Sequence, residues 1–407
     1  MTLASASEPD RHSTAGRPPT RTRPTARTSL VHDFSRQLRG TERTGALSVL
    51  HSTARTLLKV TPADVWCAVM LDPSTLLDTG GIHTHGFSTE VMPRLFEIEH
   101  ADQVGVDNLR ALTRRNRPVS VLSQSTKGQL ADSIYYRDVL RPSGLGDELR
   151  VLLRDGSRTW GLFVLCRSSG TPPFTSAEVE LAAALSAPAT LALRRSLLLG
   201  GIDSDGVPDA TGLLILDDEQ QVHLCTSTAE HLLGLIQEAH SRPRQLLPYA
   251  LQALVNTAQG VELGVQVHSR ALGSTGHWIT LSAWREKAGG PSGLGGAEGA
   301  PLTYVSLAPT HPRDLTALVL DAYGLTPRER DVAQQVLLGR STAEVSTALH
   351  ITEYTVQDHL RKVFDKAGVR SRREFTGELF QRCYLPLLND PPLTTDGRMR
   401  HDPPGRP

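Results

Sequence analysis

The sequence is poor in the residues that mark a secreted or metal-binding protein. Its 407 residues include only four cysteines, which lie far apart and form no C-x-x-C pair. A disulfide framework or a structural zinc site is therefore not expected, whereas reduced, mostly buried thiols are typical of a cytosolic protein. The cysteines are Cys67, Cys166, Cys225 and Cys383.

Net charge and long apolar runs are missing as well. The chain has 43 Lys and Arg residues and 43 Asp and Glu residues, so any surface for nucleic acid has to be local. The richest apolar run, residues 181–199, contains Pro188, Arg194 and Arg195, and the N-terminus has no apolar segment. We therefore expect neither a membrane span nor a signal peptide, no contact with a membrane, and a cytoplasmic location.

Both ends of the chain lack the large apolar residues of a folded core. Residues 1–28 are rich in Pro, Thr, Ser and Arg, and we expect a disordered basic tail, because such a segment cannot bury enough apolar surface to offset the entropy of ordering. Residues 386–407 are polar and rich in Pro, and a disordered tail is expected there too. The length between these tails predicts a multidomain protein.

Residues 33–198 have the pattern of a mixed α/β domain. A helix closed by Pro62 comes first, then an apolar run of strand length at 65–71. Asp155-Gly156 is a hairpin signal between two apolar strands, and the capping box Thr175/Glu178 opens a long last helix. This order of elements resembles the GAF domain, which implies an α+β module that senses a small molecule or a protein.

Residues 207–308 predict a second sensor domain. Two short strands flank a polar turn, a short helix ending at Gly234 follows, and three alternating stretches then predict further strands. This order resembles the PAS domain, although Thr226-Ser227-Thr228 stands where that family usually has an Asn before the helix. Residues 288–300 are rich in Gly and predict a flexible insertion between the last two strands.

Closely spaced helix boundaries mark the region from 321 to 385. Gly339 and Gly368 stand where helices should end, and Thr352 is the predicted N-cap of a third helix over 353–367. Two short helices, a turn of a few residues and a longer, half-polar helix predict helix-turn-helix geometry. Three Ser/Thr-x-x-Glu capping boxes predict helix starts: Thr326/Glu329, Ser341/Glu344 and Ser371/Glu374.

The same region resembles the LuxR-type (GerE-like) helix-turn-helix domain over nearly its whole pattern. Gln335 and Ser346 are among the few departures. The predicted fold class is thus multidomain, with α+β GAF-like and PAS-like sensor domains followed by an all-α four-helix domain. Residues that match the family pattern include Leu325, Thr326, Arg328, Glu329, Val332, Gly339, Ser341, Glu344, Val345, Leu349, Ile351, Thr355, Val356, His359, Val363, Lys366, Gly368, Val369, Ser371 and Arg372.

The resemblance implies a bacterial transcriptional regulator that binds double-stranded operator DNA as a homodimer. By position, Gln357, Asp358 and Arg361 would face base edges, since Gln suits adenine, Arg suits guanine and Asp can accept from cytosine. Between 361 and 373, six basic residues stand against one acidic residue, which gives a local basic footprint. The residues expected at phosphates are Thr352, Thr355, Lys362 and Lys366.

A different class of function is also compatible with these residues. In an adaptor protein, the helical C-terminal module would bind a protein partner, and its charged helix face would only be solvated. An enzyme is not expected, because we find no nucleophile–base pair, metal site or cofactor motif. His83-Thr84-His85 has an H-x-H spacing but is more typical of ordinary surface or core histidines. The expected signal is a small molecule or a protein at the N-terminal domains.

Overall fold

A computed structural model describes residues 26–83, 86–88, 90–156, 158–199, 210–236, 238–239, 247–274, 276–287 and 300–383. Most of the predicted N-terminal tail, most of the predicted insertion at 288–300 and the predicted C-terminal tail lie outside these residues. The first helix begins at Ala26 and so includes the last three residues of the predicted tail.

The first part of the chain is a sheet covered by helices on both faces. Its elements are α1 (Ala26–Thr41), α2 (Ala46–Val60), β1 (Val65–Leu71), β2 (Asp78–Ile82), α3 (Met92–Phe96), a π-helical turn (Glu97–Asp102), α4 (Leu109–Thr113), β3 (Val119–Val121), α5 (Leu122–Ser125), a second π-helical turn (Tyr136–Leu140), β4 (Leu145–Asp155), β5 (Arg158–Ser168) and α6 (Ser176–Leu199).

Two local sequence signals correctly predict a hairpin and a helix start in this part of the chain. Strands β4 and β5 pair antiparallel up to Asp155 opposite Arg158, as the Asp-Gly turn signal predicts. At the start of α6, the Thr175 hydroxyl accepts from the Glu178 amide at 3.3 Å, while Glu178 accepts from the Thr175 amide at 2.7 Å. The order of the strands is β3-β4-β5-β1-β2, and α1, α2 and α6 share one apolar core on one face of them.

The second part is a five-stranded antiparallel sheet around one central helix. The elements are β6 (Gly212–Leu216), β7 (Val222–Cys225), α7 (Ser227–Leu235), β8 (Glu238–Ala239), α8 (Tyr249–Gln259), β9 (Val267–Leu272), β10 (Trp278–Lys287) and β11 (Pro301–Pro309). The order of the strands in the sheet is β7-β6-β11-β10-β9, and the apolar side of the sheet packs against α8. The strand–turn–strand–helix opening is the predicted one, whereas α8 and β8 were not predicted.

The last part is all helical. It consists of α9 (Pro312–Ala322), α10 (Pro327–Leu337), α11 (Thr342–Leu349), α12 (Glu353–Ala367) and α13 (Arg372–Cys383). Helix α12 has the predicted bounds, and the predicted capping boxes at Thr326 and Ser341 open α10 and α11. Their common core contains Val332, Val345, Val356 and Phe375.

The three parts pack against one another. Strand β8 pairs in parallel with β2 and so extends the first sheet with residues that follow α7. Leu315 and Leu318 of α9 lie in the same core as Leu193 of α6. The Arg270 guanidinium of β9 donates to the Asp72 carboxylate at 2.7 and 3.1 Å and to the carbonyl of Asp314 at 3.2 Å, which joins both sheets to α9.

Candidate DNA-binding surface

Helix α12 is held by a cap at each end and by one apolar stripe. The Thr352 hydroxyl accepts from the Thr355 amide at 3.2 Å, and Gly368 ends the helix with φ +72° in the left-handed region. Val356, Leu360 and Val363 are buried, whereas the opposite side of the helix faces outward. This periodicity fixes which side chains of α12 are presented to a partner.

Side-chain hydrogen bonds also fix α11 and the turn that connects it to α12. Ser341 and Glu344 form a complete capping box at the start of α11, with the Ser341 amide donating to the Glu344 carboxylate at 2.7 Å. His350 closes α11 at φ 54°. The hydroxyl of Ser346, a departure from the family pattern, donates to the Ile351 carbonyl at 2.5 Å. The departure therefore supports the turn.

The three residues predicted to face bases lie on the outward side of α12. Gln357 is exposed, and its amide nitrogen donates to the Thr342 hydroxyl at 3.2 Å. Arg361 is exposed and, among the described residues, its side chain forms no hydrogen bond or ion pair. Asp358 is paired with Lys362 at 2.7 Å, and this hydrogen bond keeps the pKa of Asp358 below its usual value. The base contacts of these residues stay predictions.

Of the residues predicted at phosphates, Thr352 and Thr355 lie at the start of α12. Their hydroxyls are 2.8 Å apart, next to the helix N-terminus, where amides and the helix dipole favour an anion. Lys366 lies near the other end, where its ammonium donates to the Glu329 carboxylate at 2.6 Å and to the Gly324 carbonyl at 3.0 Å. Its phosphate contact stays a prediction, and the geometry adds a structural role.

Two residues of this surface were given no role by the sequence analysis. Tyr354, on the same side as Arg361, is 85% exposed and is the most exposed large hydrophobic side chain among the described residues. Thr342 holds Gln357 from the neighbouring helix. A large exposed aromatic residue at the first turn of a predicted recognition helix was the available signal for Tyr354. The contact of Thr342 joins residues 15 positions apart and leaves no local pattern.

A basic margin continues beyond the end of α12. Arg370 and Arg373 are exposed, and neither side chain forms a hydrogen bond or ion pair with any residue between 300 and 383. Arg372 differs, since its guanidinium donates to the Arg340 carbonyl at 2.5 Å. The margin therefore offers two unpaired guanidinium groups beside α12, which suits the charge of a DNA backbone.

Fold and surface together define a helix-turn-helix DNA-binding transcription regulator with an upstream sensor. Residues 324–377 match the model of the bacterial regulatory proteins of the luxR family, and residues 46–193 match the GAF domain. The spore germination protein GerE of Bacillus subtilis (strain 168) is 35% identical over 63 residues, which cover 16% of this chain and 85% of GerE. The chain belongs to the luxR family of bacterial regulatory proteins.

Some solved structures are also similar to parts of this chain. The Vibrio cholerae VqmA–ligand–DNA complex is 16% identical, covering 44% of this chain and 84% of VqmA, with a TM-score of 0.23. DhaR(N) in the Escherichia coli DhaR(N)–DhaL complex is 13% identical, covering 72% and 92%, with a TM-score of 0.23. TM-scores this low do not establish a common overall arrangement. None of the helices within the described residues is long and apolar enough to cross a membrane.

Proposed function

We propose that the outward side of α12 reads operator DNA in the major groove. Gln357, Asp358 and Arg361 contact base edges, and Thr352, Thr355 and Lys362 contact phosphates. Lys366 adds a phosphate contact at the edge of the surface while it holds the module together. Tyr354 completes this surface at the first turn of the helix.

The observation that supports this groove assignment is the unpaired guanidinium of Arg361. It is exposed on the side of α12 opposite to Val356 and Leu360, and no described residue competes for its donors. An arginine so placed can donate two parallel hydrogen bonds to guanine. Lys362 holds one carboxylate oxygen of Asp358, and the other oxygen is left to accept from cytosine.

The test is DNA binding by full-length protein and its Arg361→Ala variant, measured by anisotropy on an operator selected from random duplexes. We expect a loss of about 1–3 kcal/mol on the operator and a relaxed preference at one base pair. Arg328→Ala is the matched control, because Arg328 is equally exposed but lies on α10 and faces Asp331. An unchanged operator affinity for the Arg361→Ala variant would exclude Arg361 from the groove.

The rest of the chain is proposed to control this surface. A GAF-like domain within residues 33–198 and a PAS-like domain within residues 207–308 sense a small molecule or a protein. They then alter how the module at 321–385 pairs or is presented. The protein acts by binding rather than by catalysis, in the cytoplasm, and two copies occupy one two-fold operator. Sedimentation of the complex measures this stoichiometry, and one chain per operator would contradict it.

A further inference from the structure

A mostly apolar cavity of about 90 Å³ lies between the first sheet and helix α8. Val69 of β1 and Val164 of β5 form part of its wall on the sheet, and Phe96 closes it from α3. Tyr249, the first residue of α8, also lines it. A molecule in this cavity would therefore touch both upstream domains at once.

Aromatic rings surround much of this space. The ring of Tyr249 lies 4.3 Å from that of His83 and 5.8 Å from that of Phe96, and Phe96 in turn stacks on His100 at 5.5 Å. Phe87 lines the cavity from the loop before α3. The faces of such rings carry partial negative charge, and groups of them attract cations that have lost their water.

The one arginine in the described wall is already bound to carboxylates. The guanidinium of Arg150 is bound to Glu148 at 2.5 Å, to Glu99 at 2.6 Å and to the Asp107 carbonyl at 2.9 Å. Burial lowers the pKa of His100 to about 4, so its imidazole is neutral at physiological pH. Carboxylates therefore outnumber cations around the cavity.

Asp78 is the acidic residue of the described wall that can still accept a hydrogen bond from a ligand. It is buried in the wall, where one carboxylate oxygen accepts from the Gly80 amide at 2.6 Å and the other lies 3.6 Å from the His83 ring nitrogen. Burial, and then the charge of Glu238, raise its pKa well above the usual value for an aspartate. A buried carboxylate with so little compensation is stabilised by any cation that enters.

We propose that the cavity binds a small organic amine, with its ammonium against Asp78 and its apolar groups against the surrounding rings. The proposal rests on the proposed function and gives the signal a chemical class. An apolar protein cavity of about 150 Å³ holds benzene, so by proportion this one takes roughly three or four non-hydrogen atoms. Aliphatic amines are protonated at neutral pH, as is Lys with a pKa of about 10.4.

The test is calorimetric titration of the full-length protein with three probes that share a three-carbon chain: propylamine, propanol and propionate. We expect the amine to bind at least about tenfold more tightly than the alcohol, a difference of about 1.4 kcal/mol, and propionate not to bind. Asp78→Asn should abolish the preference for the amine, because the amide keeps an acceptor for Gly80 but carries no charge. Phe96→Leu should weaken amine binding while it keeps an apolar wall.

Asp138→Asn is the matched control, because Asp138 pairs with Arg94 and does not line the cavity. It should bind the amine like the unchanged protein. Equal binding of amine and alcohol, an Asp78→Asn variant that still prefers the amine, or no amine binding by folded protein would each overturn the proposal. DNA binding without any amine is measured in parallel, so a failure of the DNA-binding assignment is recognised separately.

Discussion

At the scale of single residues, Lys366 shows how one side chain can hold two helices of the DNA-binding module. It joins the last turn of α12 to Glu329, which is itself the capping-box residue of α10. Burial alone would raise the pKa of Glu329, but the hydrogen bonds from Lys366 and from the Thr326 amide bring it below its usual value. The carboxylate is thus charged and doubly bound.

We predict that Lys366→Met destabilises α10 locally by about 1.5–3 kcal/mol, the usual range for a hydrogen bond to a charged group. Hydrogen exchange of the α10 amides in the full-length protein measures it. Lys362→Met is the control, because its exposed pair with Asp358 should contribute little. Equal exchange in the two variants would contradict the structural role of Lys366.

The pH dependence of this contact has a definite sign. Because the folded-state pKa of Glu329 is lowered, its contribution to stability is complete above the usual glutamate pKa and is lost as the pH falls through the folded-state value. The difference between the unchanged protein and the Lys366→Met variant should therefore shrink on acidification in that range. A difference that grew with falling pH would contradict the assignment.

At the scale of elements, α11 depends on its cap, because it has only eight residues. Ser341→Ala removes the hydroxyl that accepts from the Glu344 amide at 3.3 Å and should destabilise the helix by about 1 kcal/mol. Hydrogen exchange within α11 should accelerate about fivefold. Operator affinity should also fall, because Thr342 at the first position of α11 holds Gln357.

The control for this cap is Ser341→Asn, since asparagine is an equally good N-cap residue. This variant should keep both the slow exchange of α11 and the affinity for the operator. If alanine and asparagine behave alike at this position, the cap does not stabilise α11.

Prediction from sequence succeeded where boundaries are local. The caps at Thr326, Ser341 and Thr352 and the glycine at 368 define α10 to α12, because each signal acts within four residues. Helix α8 was missed because its first residue follows Pro248 and no side chain caps its start, so no local signal marks where the helix begins.

The candidate surface was predictable in part for the same reason. The outward side of α12 follows from its period, whereas the partners of its side chains do not. Lys366 reaches Glu329 over 37 residues, and Gln357 reaches Thr342 over 15. Contacts of this kind depend on how helices pack and have no signature in the local sequence.

At the scale of the whole molecule, the DNA-binding module is tied to the first domain through Asp321 and Ala322 at the end of α9. Asp321 is buried between Arg158 of β5 and Arg330 of α10, so one carboxylate joins the first sheet to the module. Next to it, the buried Arg194 guanidinium of α6 donates twice to the Ala322 carbonyl, at 3.0 and 2.9 Å. A signal that shifts α6 would act directly on the contact between Arg194 and Ala322.

The position of Gly324 agrees with this close approach. Its φ of +71° lies in the left-handed region, and a Cβ atom there would overlap the Arg194 guanidinium. The chain therefore passes closely over Arg194 just before α10 begins at Pro327. This geometry makes Arg194, which also pairs with Asp155, the residue most directly placed between the sensor and the module.

Arg194→Met is expected to loosen this junction by about 1–3 kcal/mol, because the buried Ala322 carbonyl loses the charged donor that it has among the described residues. Amides of residues 319–325 should then exchange faster in the full-length protein, while those of β4 and β5 keep their rates. The neighbouring Arg195→Met provides the control, since Arg195 faces Glu42 at 3.5 Å on the surface. If both variants leave residues 319–325 unchanged, Arg194 does not hold the module. If both accelerate exchange equally, the effect belongs to α6 as a whole and not to the contact with Ala322.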